Sequence, residues 1–188
     1  MSEKKIMSIS NKDLKEMKSK PKIEDVISEC FGGEMKEIAL DFVDYLRTNK
    51  MSPTVISITS WKSSCKGKVI CYVNFDKGKL LIIPHLNHLN TYRETAEKEE
   101  LGSVLQNNLF RCEDCNYCMK KYPDCEPGRT ITILGKQFNN ICNGRAPVGI
   151  YNPCEEDVVH IKRLLDLEKN ARKESKSQSI YFANYNDS

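Results

Sequence analysis

The sequence predicts an α+β protein: a single domain with a small antiparallel or mixed sheet of two hairpins, helices packed on one face, and a Cys-rich metal-binding loop. Three observations carry that expectation. Two runs of β pattern fold back on short Gly turns, at Asp76-Lys77-Gly78 and at Gly135-Lys136. Helical stripes lie on either side of them. Four thiols crowd together, three in the stretch Cys112-Glu113-Asp114-Cys115-Asn116-Tyr117-Cys118 and Cys125 after a six-residue gap.

The elements follow in order. Residues 1–22 read as a basic flexible arm, with seven lysines against Glu3, Asp13 and Glu16. The net charge of the whole chain is +3, so the remainder sums to −1. A near-neutral body with a basic arm lacks the clustered basic face that nucleic acid requires, and nucleic acid is a disfavoured partner. Residues 23–173 form the expected domain. Val26, Ile27, Cys30 and Phe31 share one face of a short helix that stops at Gly32-Gly33. Met35, Ile38, Ala39, Phe42, Val43 and Leu46 then give a helical stripe ending near Asn49.

Val55 to Ile58 alternates weakly as a strand, and Lys68 to Phe75 alternates clearly. The return strand Lys79 to Pro84 carries the apolar run Leu80-Leu81-Ile82-Ile83, as a strand covered on both faces does. Leu101, Val104, Leu105 and Leu109 place a helix over about 96–109. Beyond the cysteine loop at 111–129, Thr130 to Leu134 and Gln137 to Cys142 form the second hairpin. The last helix opens with Asn152 as cap, Pro153 in the first position and Glu155 three residues after the cap. Val158, Ile161, Leu164, Leu165 and Ala171 supply its apolar face. Residues 174–188 read as a polar tail.

The thiols carry the chemistry. Deprotonated sulfurs repel one another, and a divalent cation turns the repulsion into a cross-link. Zinc is the expected metal, because Glu113, Asp114, Asn116 and Tyr117 give a polar surrounding. An iron–sulfur cluster is the alternative, since Cys-x2-Cys-x2-Cys followed by a later Cys has the outline of a ferredoxin run. The last gap is six residues instead of three, and Glu126 stands between Cys125 and Pro127. The metal candidates are Cys112, Cys115, Cys118, Cys125 and Cys142, with Cys154 a further thiol at a helix start. There Cys154 is also the best candidate for a reactive free thiol, although an inert buried thiol is the favoured reading. Four of these bind one tetrahedral ion, and spacing leaves open which four.

Nine cysteines in a chain that opens without a secretion-type apolar run point to a reducing cytoplasm, and no stretch is long enough to span a bilayer. His85 and His88 form a His-x2-His pair without an obvious carboxylate partner in sequence, so they read as loop histidines. Trp61, Tyr72 and Phe75 read as core, with an apolar ligand pocket the second reading. Gly-rich phosphate loops, G-x-S-x-G elbows and His-Glu-x2-His helices do not occur. The expectation for function is a binding module for a small molecule or a protein, built round structural zinc; the rival is a redox protein using the same thiols.

Trp61, Cys71, the Cys112/Cys115 pair, Cys125-Glu126-Pro127-Gly128, Gly135-Lys136-Gln137-Phe138, Cys142 and the Asn152-Pro153 helix start carry a resemblance from about Met35 to Lys173. Over that span the chain resembles a group of small uncharacterised bacterial proteins, which are similar in turn to YdhG-type α/β domains with a cysteine-rich insertion. The resemblance implies Cys112, Cys115, Cys125 and Cys142 as the ligand quartet, with Cys118 spare, and it implies no activity. Loop closure points the same way. Cys142 would tie the loop to the hairpin, a longer closure than Cys118 offers.

Overall fold

The structure, a computed structural model, describes residues 21–76, 78–112, 128–142 and 146–183. The expected arm at 1–22, apart from its last two residues, and most of the cysteine loop lie outside the described residues. The chain divides into two compact units, one of residues 1–85 with 148–162 and the other of residues 86–147 with 163–188.

The first unit opens with α1 (Ile23–Cys30) and α2 (Gly33–Thr48), which bury the two stripes read from sequence. Gly33 starts α2 at φ +54, a conformation that costs a glycine little. Five strands follow as one antiparallel sheet: β1 (Pro53–Ser57), β2 (Ser60–Cys65), β3 (Lys68–Asp76), β4 (Lys79–Pro84) and β7 (Ile150–Tyr151), in that spatial order. Strand β2 turns Trp61, Ser63 and Cys65 inward and Lys62 outward, and β4 buries Leu80, Leu81 and Ile82. Trp61 is 2 % exposed and meets Phe75 edge-on at 5.3 Å, while Phe31 packs on the same Phe75 at 5.6 Å. Trp61 is core, as expected.

Asn152 does not cap the last helix. Its backbone N–H donates to Leu80 O at 2.7 Å, and its side-chain Oδ1 accepts from Leu80 N–H at 2.9 Å. With φ +45, Asn152 thus extends the β4–β7 pairing by one rung, its side chain replacing a backbone carbonyl. The cap falls two residues later. Asp157 Oδ2 accepts from Cys154 N–H at 3.1 Å, and the Cys154 carbonyl accepts from Val158 N–H, which starts α5 (Glu155–Ala183). Residues up to Lys162 of this helix belong to the first unit, where the Lys162 carbonyl accepts from Tyr45 Oη at 2.8 Å and Lys162 Nζ pairs with Asp41. The helix runs on to Ala183, through most of the stretch read as a polar tail.

In the second unit the expected single helix over 96–109 is two short ones, α3 (Arg93–Lys98) and α4 (Gly102–Gln106). Glu100 takes φ +56 between them, which an α-helix cannot continue through. The second hairpin, β5 (Arg129–Ile133) with β6 (Lys136–Ile141), pairs as read. It forms a separate two-stranded sheet, so the expectation of one sheet built from both hairpins is corrected. The first hairpin instead recruits β1, β2 and β7. Ile133, Ile141, Val104, Leu105, Leu164 and Leu165 are buried residues of this unit. Among the described residues no helix is long and apolar enough to cross a membrane.

Candidate functional site

Cys112 and Cys142 are the two metal candidates within the described residues; Cys115, Cys118 and Cys125 lie outside them. Both belong to the second unit. A short ladder holds them. Arg111 pairs antiparallel with Ile141, Cys112 N–H donates to Asn140 O at 2.7 Å, and Cys142 N–H donates to Phe110 O at 2.8 Å. Phe110 therefore stands opposite Cys142, and Cys112, two residues on, returns to the same face of the pleat. Diagonal neighbours of this kind are roughly 7–8 Å apart at Cα, close enough for two thiolates to reach one ion through bonds of about 2.3 Å. Cys142 is 1 % exposed and Cys112 half-buried.

The far end of the cysteine segment comes back to the same place. On the other side of β6, Arg129 pairs with the same Ile141. Gly128 sits at φ +57, so close to β6 that a Cβ there would lie 2.6 Å from Asn140 Cα. Asn140 itself has φ +60 and marks the bulge between the Arg129 and Ile131 registers. Both ends of the 113–127 stretch are thus anchored beside Asn140, and that stretch carries three more thiols. Among the described residues no three His, Cys, Asp or Glu side chains group as a metal site. Cys65, Cys71, Cys112, Cys142 and Cys154 are free thiols.

Lys136 Nζ reaches Gln106 Oε1 at 3.4 Å, and Gly135, at φ +75, lies under the Arg93 guanidinium, whose Nη2 would be 2.2 Å from a Cβ. The guanidinium is the end of a flexible side chain and can move aside, so the turn favours glycine for its left-handed backbone. Cys154 is exposed, and its thiol donates to Asp157 Oδ2 at 3.3 Å. Its exposure corrects the favoured reading of an inert buried thiol. Cys71 lies inside the first unit opposite Ser63, and burial pushes its thiol up to about 12. The Ser63 hydroxyl draws it down a little, but Ser63 Oγ makes no hydrogen bond of ordinary geometry among the described residues.

Sequence reasoning missed one charged residue altogether. Glu168 is wholly buried in the second unit. Its Oε2 accepts from the His88 backbone N–H at 3.0 Å and from Tyr92 Oη at 3.1 Å. Its Oε1 accepts from His88 Nδ1 at 2.9 Å and from Arg172 Nε at 2.7 Å. Burial pushes the carboxyl up, but the bonds from His88 and Arg172 outweigh it and hold Glu168 below the usual carboxylate range. Burial, then the charge of Glu168, hold the Tyr92 phenol well above its ordinary value. The signal was in the helix periodicity: Ile161, Leu164, Leu165, Glu168 and Arg172 continue one stripe, and a carboxylate on an apolar stripe with a guanidinium four residues on marks a buried pair. His88 has the carboxylate partner that its local sequence lacks.

Comparison with protein-family models, with curated proteins and with solved structures gives no match, so the functional reading rests on these residues.

Proposed function

We propose that the protein is a metal-stabilised binding module whose second unit is clasped by zinc. Cys112 and Cys142 supply two thiolates, and the other two come from Cys115 and Cys125, with Cys118 the spare. What supports the reading is the placement of Cys112 and Cys142 on one face of a ladder, at the point where both ends of the thiol-bearing stretch are anchored. Such an ion does structural work. It fastens the 113–127 stretch to β6, and the fastened surface takes a small molecule or a protein as its ligand.

Metal analysis of the full chain, purified under reducing conditions, tests this directly. About one zinc per chain is expected from a single four-thiolate site, bound without visible colour. Iron with acid-labile sulfide would replace the reading with the redox one. Absence of any stoichiometric metal would remove both.

A further inference from the structure

The buried carboxylate of Glu168 does more to His88 than hold its loop. Below the usual carboxylate range Glu168 is ionised at neutral pH, and an ionised carboxylate is an acceptor with no proton to give. The 2.9 Å contact to His88 Nδ1 therefore places the ring proton on Nδ1. In the neutral ring the lone pair then lies on Nε2. That side chain is 28 % exposed, while Glu168 behind it is not exposed at all. Nε2 makes no hydrogen bond among the described residues.

Anchoring the chain at 88–92 does not require a charge. The His88 backbone N–H and the Tyr92 hydroxyl would be satisfied by any buried acceptor, and sequestering a carboxylate with Arg172 carries a desolvation cost that apolar packing avoids. The ionised group has a distinct consequence at the ring: it orients the imidazole and turns Nε2, the nitrogen away from the carboxylate, outward as an acceptor. Among the described residues, Arg172 from α5 and Tyr92 share the Glu168 carboxylate with His88. Arg172 neutralises Glu168 in the resting state, and the phenol of Tyr92, held protonated, adds no second negative charge.

We propose that His88 is an acid–base site, separate from the cysteine loop, whose Nε2 takes a proton from an O–H or N–H of a bound small molecule. In that step the heteroatom–hydrogen bond breaks and an N–H bond forms on Nε2. The electron pair stays on the ligand, and the new imidazolium charge sits against Glu168. The same group returns the proton to the product. No oxidant or second reactant is needed.

Two measurements on the full chain test this. Nitrogen-resolved NMR at neutral pH is expected to show His88 with its proton on Nδ1 and a bare Nε2. Carbethoxylation by diethyl pyrocarbonate, followed by peptide mass spectrometry, is expected to modify His88 severalfold faster than His160. Glu168→Gln should bring His88 down to the His160 rate and leave His160 unchanged, while Glu168→Asp, which keeps the charge, should retain part of the difference. A proton found on Nε2, or a His88 rate indifferent to Glu168→Gln in a chain that keeps its circular dichroism, overturns the proposal. Should Glu168→Gln fail to fold, the tautomer in the unmodified protein decides by itself. Both readouts address His88 alone, so they stand or fall independently of zinc.

Discussion

Cys142 stands opposite Phe110, and Cys112 lies diagonal to it on the same face, across a strand whose Ile141 pairs with Arg111 on one side and Arg129 on the other. If zinc is seated there, Cys142→Ala should lose most of the bound metal and lower the melting temperature by several degrees. The sheet of the first unit should stay folded, because its own core surrounds Trp61. Protection from alkylation does not identify Cys142 as a ligand, since burial alone would shield it. Zinc content of the variant, beside Cys118→Ala as the control expected to keep its metal, makes the distinction. Full zinc in Cys142→Ala would exclude it from the site.

Gly128 offers a way to disturb the same site without removing a ligand. Its φ of +57 costs an alanine about 1–2 kcal/mol. The added Cβ also meets Asn140 Cα at 2.6 Å, a backbone atom that cannot rotate away. Gly128→Ala is expected to destabilise the protein by at least that amount and to weaken zinc retention against a chelator. Unchanged stability and chelator resistance would separate Gly128 from the clasp.

Much of this fold is written in local pattern. The α2 stripe, the β3–β4 hairpin and the β5–β6 hairpin are each formed by contacts close in sequence, and each occurs where its period places it. The failures share a cause, which is pairing that local chemistry does not signal. Strand β2 reads Ser-Trp-Lys-Ser-Ser-Cys, poor in β-branched residues, and its alternation shows only once Trp61, Ser63 and Cys65 have a core to enter. Asn152 carries an ideal capping side chain, yet Leu80, distant in sequence, claims it. The cysteine spacing was legible as chemistry, but the convergence of Cys112, Gly128 and Cys142 on one stretch of β6 depends on a bulge at Asn140. Glu168 finds His88 from 80 residues away, and no loop sequence around a histidine announces such a partner.

Asn152 itself is testable. Alanine there loses the bond from Leu80 N–H, worth about 1 kcal/mol, and must hold a left-handed φ at a further cost of about 1–2 kcal/mol. Glycine loses the bond but tolerates the φ. Denaturant unfolding should therefore rank wild type above Asn152→Gly, and Asn152→Gly above Asn152→Ala. Equal losses would mean that backbone conformation plays no part.

Ser63 makes the opposite prediction. A wholly buried hydroxyl with no ordinary hydrogen bond has lost its water for nothing, so Ser63→Ala should leave stability unchanged or raise it by up to about 1 kcal/mol. The Cys71 thiol beside it, pushed up to about 12 by burial, should resist iodoacetamide in the native state, whereas exposed Cys154 should react. Marked destabilisation by Ser63→Ala would show that the Ser63–Cys71 contact is a real bond.

The pH dependence of stability follows from Glu168. Burial raises its pKa, but the bonds from His88 and Arg172 lower it further than burial lifts it, so the folded value lies below the unfolded one. The unfolded chain then binds more protons than the native one wherever Glu168 titrates, and stability rises with pH through that range. The contribution is complete above the unfolded carboxylate value, about 4.3. It is lost as pH falls through the lower folded value, where protonation breaks the bonds to His88, Tyr92 and Arg172. Glu168→Gln should remove this acid-side slope. It should also cost about 3 kcal/mol or more at neutral pH, because Arg172 is left buried without its counter-charge. Glu168→Gln with Arg172→Met removes both charges and should recover part of that loss while keeping the slope flat. Urea unfolding between pH 3 and 7 measures all of these, and an acid slope that survives in Glu168→Gln would assign it to other carboxylates.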